Sequence, residues 1–184
     1  METINLRDIK KFEPKIFKDE RGYFFETYSS STFQKIGIPN SFVQDNQSFS
    51  QKGVLRGLHF QTGAYAQGKF VRVISGRVLD IAVDLRPESE TFGKYEFFDL
   101  DGLSNKMVYI PEGFAHGFLA LEDSIFAYKC TAPYHKESEG GIIWNDPSLN
   151  IQWPLDFEPL VSEKDLELPS FKEFCLQNNF DFPF

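Results

Sequence analysis

The sequence predicts a mainly β fold, an antiparallel sandwich or barrel, on three observations. Apolar and polar residues alternate in short runs through the middle of the chain, as half-buried strands require. Gly, Pro and Asp turns punctuate those runs at short intervals. The helical patterns are short and peripheral, so they cannot serve as the crossovers of alternating βα units. At 184 residues the chain fits one domain with a sizeable core, residues 1–184. No repeat, low-complexity tract or long linker marks a boundary.

Taken in order, Ser31 with Gln34 resembles a capping box that opens a turn or two of helix before Gly37. In "GVLRGLHFQ" (53–61), Leu58 and Phe60 point one way, and Gly57, His59 and Gln61 point the other. "KFVRVISGRVLDIAVDLR" (69–86) reads as two strands about a hairpin turn at Ser75-Gly76. In its second strand Leu79, Ile81, Val83 and Leu85 share a face, and Asp80, Asp84 and Arg86 take the other. "MVYIPEGFAHGFLALEDSIFAYKC" (107–130) repeats the pattern, with Glu122-Asp123-Ser124 at the turn. Ser170 with Glu173 caps a C-terminal helix that buries Phe171, Phe174 and Cys175. The aromatic tail "NNFDFPF" docks either on its own body or on a second subunit.

A net charge of −8 argues against general nucleic-acid binding, which needs a broad basic surface. It leaves room for one small basic pocket. The 21 phenylalanines suit a wide sandwich core or a pocket wall that stacks on a flat ligand. No apolar run reaches the length of a signal peptide or a membrane span. Cys130 and Cys175 fit neither a redox pair nor a zinc pattern, so reduced thiols in a cytoplasmic protein are expected.

Six polar residues stand in strand-like or aromatic surroundings: Arg56, His59, Lys69, His116, Tyr128 and Lys129. Parity places Lys69 with Val71 and Val73, which aims an ammonium at the core. Such a charge is costly to bury unless it is paired or meets an anionic ligand. A His, a Lys and a Tyr at strand centres together suggest a polar pocket inside a β-barrel. The three histidines are tens of residues apart with no HxH or HxxH pair, which disfavours a metal site. His135, in the charged "YHKESE" loop, is expected to be a solvated surface residue.

Six stretches resemble, in this order, the dTDP-4-dehydrorhamnose 3,5-epimerase family. They are "VLRGLHFQ", "AQGKFVRVISGRVLDIAVDLR", "IPEGFAHGFLAL", "FAYKCTAPY", "GGIIWNDPSLNIQWP" and "SEKD". The resemblance runs from about Ile9 to Phe171. It implies a cupin-type double-stranded β-helix (jelly roll), a homodimer, a dTDP-4-keto-6-deoxy-hexose substrate, and no metal or other cofactor. It also implies roles for particular residues. His59 would be the catalytic base, held by Asp165; Tyr128 the proton donor; and Lys69 the neighbour of the keto oxygen. Nucleotide and sugar contacts would come from Arg21, Glu26, Gln44, Asn46, Arg56, His116, Glu139 and Lys164, with Tyr134 a second pocket tyrosine. "TGAYAQ" (62–67) departs from the family's more usual proline-containing segment, which predicts a looser loop beside the pocket. Relatives that invert only one centre, or that take another nucleotide-linked 4-keto-6-deoxy sugar, are the near alternative.

The chemistry needs these residue types. Epimerisation beside a ketone removes a carbon-bound proton and returns one to the opposite face. A neutral imidazole, with a pKa of about 6.5 when unperturbed, suits the first task. A carboxylate on its far nitrogen fixes the tautomer. The enolate oxygen needs positive charge or preorganised donors, which Lys69 supplies, as does His116 if it donates. Arg21, Arg56 and Lys164 suit a diphosphate. One conflict stands: strict alternation puts Arg56 on the face opposite His59. A bulge, or a ligand that wraps the strand end, would have to reconcile them.

Overall fold

The computed structural model describes residues 6–38 and 41–183. Its strands are β1 (Lys10–Phe12), β2 (Phe17–Asp19), β3 (Gly22–Phe24), β4 (Gln44–Ser50), β5 (Leu55–Gln61) and β6 (Lys69–Ser75). They continue with β7 (Arg77–Asp84), β8 (Tyr95–Asp101), β9 (Met107–Ile110), β10 (Phe114–Ala120), β11 (Ser124–Cys130) and β12 (Glu139–Gly141). Two five-stranded antiparallel sheets form, ordered β1-β9-β6-β11-β4 and β12-β5-β10-β7-β8, and β2 pairs with β3 alone. Their inner faces share one core. Val71, Val73, Val108, Ile110 and Phe126 come from the first sheet, and Val78, Ala82, Phe98, Phe114 and Phe118 from the second. This is the jelly-roll arrangement of two facing antiparallel sheets.

The two predicted hairpins are not hairpins. β6 pairs with β9 and β11 in one sheet, while β7 pairs with β8 and β10 in the other. Ser75-Gly76 is therefore a corner between sheets, and so is the turn at Glu122-Asp123-Ser124 between β10 and β11. The two corners meet each other. Gly76 has φ of +79°, and a Cβ there would lie 2.2 Å from the Asp123 carbonyl oxygen. The glycine serves close approach at a corner, not hairpin pairing.

The second sheet is also buried on its outer face. Leu58, Ile81, Val83, Leu85, Ala115 and Ile142 pack there against Phe171, Phe174 and Cys175 of α3 (Phe171–Gln177). Ser170 and Glu173 cap α3 reciprocally, as the spacing predicts. The tail docks on its own body: Phe180 and Phe182 join this cluster. The "Asp" side of β7 thus faces the space between the sheets, and Asp80 is fully buried there.

The capping box predicted at Ser31 does not form. α1 (Ser30–Lys35) starts earlier, with Ser29 at its N-cap and no side-chain cap bond. Its anchor is Phe33, packed on Phe70, Met107 and Tyr109 outside the first sheet.

Candidate active site

A bulge resolves the conflict between Arg56 and His59. On β10, His116 pairs with His59 and Phe118 with Arg56, so three steps along β5 match two along β10. The extra residue falls at Gly57-Leu58, opposite Gly117. A Cβ on Gly57, whose φ is +124°, would meet the Gly117 Cα at 2.6 Å. The slip turns Arg56 and His59 to the same cavity while Leu58 and Phe60 stay in the outer cluster.

That cavity, of about 640 Å³, opens between the sheets. Its wall includes Asn46, Arg56, His59, Lys69, His116, Tyr128, Lys164 and Asp165 among the residues expected at the site. His59 Nε2 lies 2.7 Å from Asp165 Oδ1. Asp165 belongs to α2 (Glu163–Leu166), whose N-cap Ser162 accepts the Asp165 amide. The other carboxylate oxygen accepts the Gly57 N–H at 3.1 Å, so the bulge itself ties down the acid. Burial raises the Asp165 carboxyl, but the His59 and Gly57 hydrogen bonds outweigh it and hold it below the ordinary range. Asp165 is therefore an ionised, nearly buried partner, not a solvated charge.

Tyr128, on β11 of the opposite sheet, faces the same space; burial pushes its phenol up, with a smaller push from Cys130, and keeps it protonated. Lys69 donates to the His59 carbonyl at 3.3 Å. Burial lowers its ammonium, against the charges of Cys130, Asp80 and Glu139. His116 Nε2 lies 2.8 Å from Asp80 Oδ1. Among the readings of the sequence Asp80 had a face but no role. The available signal was the one that marked His59, a titratable residue at a strand centre amid apolar neighbours.

A network adjoins the mouth through Lys164 and Asn46; its other members, Glu139, Tyr134 and Gln44, do not line the cavity. Lys164 Nζ lies 2.7 Å from Glu139 Oε2, which also accepts the Tyr134 hydroxyl at 2.9 Å. The Tyr134 amide donates to Gln44 Oε1, and Gln44 Nε2 donates to Asn46 Oδ1. Arg56 Nε donates to Ser50 Oγ. Arg21 and Glu26 are not brought to this cavity. Arg21 pairs with Asp19 on the β2–β3 hairpin, and Glu26 accepts from Thr32. Lys129 points away from the cavity, paired with Asp45.

Two loop expectations are corrected. The "TGAYAQ" segment is pinned: Gln61 Nε2 donates to the Tyr65 carbonyl at 2.7 Å, and Gln67 Nε2 to the Ala132 carbonyl at 2.7 Å. His135 keeps contact with solvent but is half-buried, its ring stacked on Tyr65 at 3.8 Å. Among the described residues, no three His, Cys, Asp or Glu side chains converge as metal ligands would.

The family model for dTDP-4-dehydrorhamnose 3,5-epimerase matches residues 3–173. The dTDP-4-dehydrorhamnose 3,5-epimerase of Salmonella typhimurium is 51% identical over 171 residues, 92% of this chain and 93% of that protein. Its counterpart from Methanothermobacter thermautotrophicus is 50% identical over 164 residues, 88% of each chain. The crystal structure of the Legionella pneumophila dTDP-6-deoxy-D-glucose-3,5-epimerase, in complex with dTDP-4-keto-L-rhamnose, superposes with a TM-score of 0.88. It is 46% identical and covers 92% of this chain and 91% of that one. A jelly roll with this cavity, matched over nearly its whole length, belongs to the dTDP-4-dehydrorhamnose 3,5-epimerase family.

Proposed function

We propose that this chain epimerises dTDP-4-dehydro-6-deoxy-D-glucose at C3 and C5 to dTDP-4-dehydro-L-rhamnose, a step of dTDP-L-rhamnose biosynthesis, without a cofactor. The observation that carries this reading is that His59, paired with Asp165, comes from the second sheet and Tyr128 and Lys69 from the first, all lining one cavity. His59 takes the proton beside the ketone, and Asp165 on its Nε2 stabilises the imidazolium that results. Lys69 stabilises the enolate oxygen. Tyr128, kept protonated by burial, returns a proton from the other face. C3 and C5 both flank the C4 carbonyl, so one oxyanion site serves both enolates if the ring shifts between steps.

The diphosphate and base belong to the mouth, where Arg56, Lys164, Asn46, Gln44, Glu139 and Tyr134 supply charge and donors. Arg21 lies on, and Glu26 just after, a hairpin that exposes Phe17, Tyr23 and Phe24. That apolar patch supports a homodimer, as does the family resemblance. Light scattering should therefore return twice the chain mass at micromolar concentration. The reading takes residues 1–184 as a single domain in the cytoplasm, in keeping with two buried, unpaired cysteines.

The test is NMR of the 4-keto substrate with the enzyme in heavy water. Deuterium should enter at both C3 and C5. Deuterium at C3 alone after long incubation would make the chain a 3-epimerase. Tyr128→Phe should slow product formation more than washout of the substrate proton; equal slowing would move the acid role to Tyr134.

A further inference from the structure

In the cavity wall lies an ionisable cluster, with Asp80 buried at its back, that the reaction as described uses only in part. Lys69 comes from β6 of the first sheet; Asp80 on β7 and His116 on β10 come from the second. Asp80 pairs with Phe118 and His116 with Ala82, so the two are diagonal neighbours on one face. Asp80 Oδ1 meets His116 Nε2, but Oδ2 is buried with no hydrogen-bond partner. A buried carboxylate with a bare oxygen is costly unless a positive charge compensates it. The cation in this cluster is Lys69, whose ammonium has the His59 carbonyl as its hydrogen-bond acceptor in the protein.

We propose that Asp80 is a positioning residue for this reaction: it turns His116 through Nε2 and supplies the buried counter-charge of the Lys69 ammonium. The proposal rests on the epimerase reading above. Around Lys69 stand Cys130 and Tyr128 of β11, Asp80 of β7, His116 of β10, His59 of β5 and Glu139 of β12, with Arg56, Lys164 and Asp165 along the same wall. Burial drives Lys69 toward neutrality and Asp80 toward protonation, and the charge of each opposes that drift in the other. An ionised Asp80 accepts from His116 Nε2–H and leaves Nδ1 bare. His116 then offers the cavity an acceptor for a sugar hydroxyl, and stabilisation of the enolate oxygen falls to Lys69. The sequence-based option of His116 as a second oxyanion donor is set aside on this account.

Asp80→Asn keeps the shape and removes the charge. In the heavy-water assay its kcat should fall about 100-fold, the loss expected when a preorganised charge no longer meets the oxyanion. KM should stay within about threefold, and the basic limb of the kcat profile should move down by about one pH unit or more. A purely structural role would not move that limb. A basic limb in its wild-type place, whatever the loss in kcat, would overturn the proposal. A second measurement needs no variant at Asp80. Wild-type protein labelled with ¹⁵N-histidine, with His116 assigned by its absence in His116→Gln, should show the Nε2–H tautomer at neutral pH. An Nδ1–H tautomer or an imidazolium there would also overturn it. If the wild type itself incorporates no deuterium, the epimerase reading fails, and the tautomer still decides the role of Asp80.

Discussion

Two His–Asp pairs of nearly the same geometry sit on neighbouring strands and differ in access. His59 Nε2 meets Asp165 Oδ1 at 2.7 Å, and His116 Nε2 meets Asp80 Oδ1 at 2.8 Å. The His59 side chain is 30% exposed, the His116 side chain 8%. The carboxylates differ too. Asp165 has both oxygens satisfied, by His59 and the Gly57 amide, and is held below the ordinary range. Asp80 has one bare oxygen and is raised by burial. A base must meet substrate and return its proton to solvent, so the open pair suits proton transfer. The closed pair suits orientation and charge balance. The same two residue types thus do different work because solvent reaches one pair far more than the other.

The comparison breaks most easily at the open pair. His59→Ala should cut proton exchange about 10²–10⁴-fold, the range of general-base contributions. dTDP affinity measured by calorimetry should be nearly unchanged, because the phosphate contacts lie elsewhere. A variant keeping more than about a tenth of the wild-type rate would remove His59 from that role. Asp165→Asn should also be severe, through loss of the tautomer the base needs.

A lesion that touches neither pair sharpens the contrast between site and scaffold. Phe171 is fully buried where α3 meets the outer face of the second sheet. Phe171→Ala should cost about 3–5 kcal/mol in urea unfolding, while kcat per folded molecule stays near wild type. A matching fall in kcat would mean that the outer cluster sets the cavity's shape. Smaller still is Ser170→Ala, which removes half of a reciprocal cap. A loss of about 1 kcal/mol with unchanged activity is expected. The smallest effect concerns metal. Each imidazole Nε2 is occupied by its carboxylate, and no third ligand joins either pair among the described residues. Extended chelation should leave turnover unchanged; activity lost and then restored by one metal would turn a pair into half of a metal site.

Much of this was legible in the residues themselves. The period of two along "GLHFQ" and "KFVRV" put His59 and Lys69 on the faces they occupy, because alternation is a local property of an extended chain. The Ser170–Glu173 cap was legible for the same reason, since its two hydrogen bonds span three residues. Where reading by local rules failed, a distant contact had decided. Ser75-Gly76 has the composition of a hairpin turn, yet it joins different sheets because each flanking strand finds its partners elsewhere. His135 looks fully solvated by its neighbours in sequence, and Tyr65, seventy residues away, covers one face of its ring.

By itself the sequence determined the strand faces other than that of Arg56, the terminal helix, the absence of closely spaced histidine ligands and the family to which the chain belongs. Only the tertiary structure decided how the polar residues combine. His59 and Asp165 are separated by 106 residues, and Asp80 and His116 by 36. No local periodicity encodes such pairings. The bulge that turns Arg56 toward His59 exists because Gly57 can pass against Gly117, a contact made by two strands far apart in the chain. Solvent access, which separates the base from its buried counterpart, comes from the closure of two sheets and is written in no single segment.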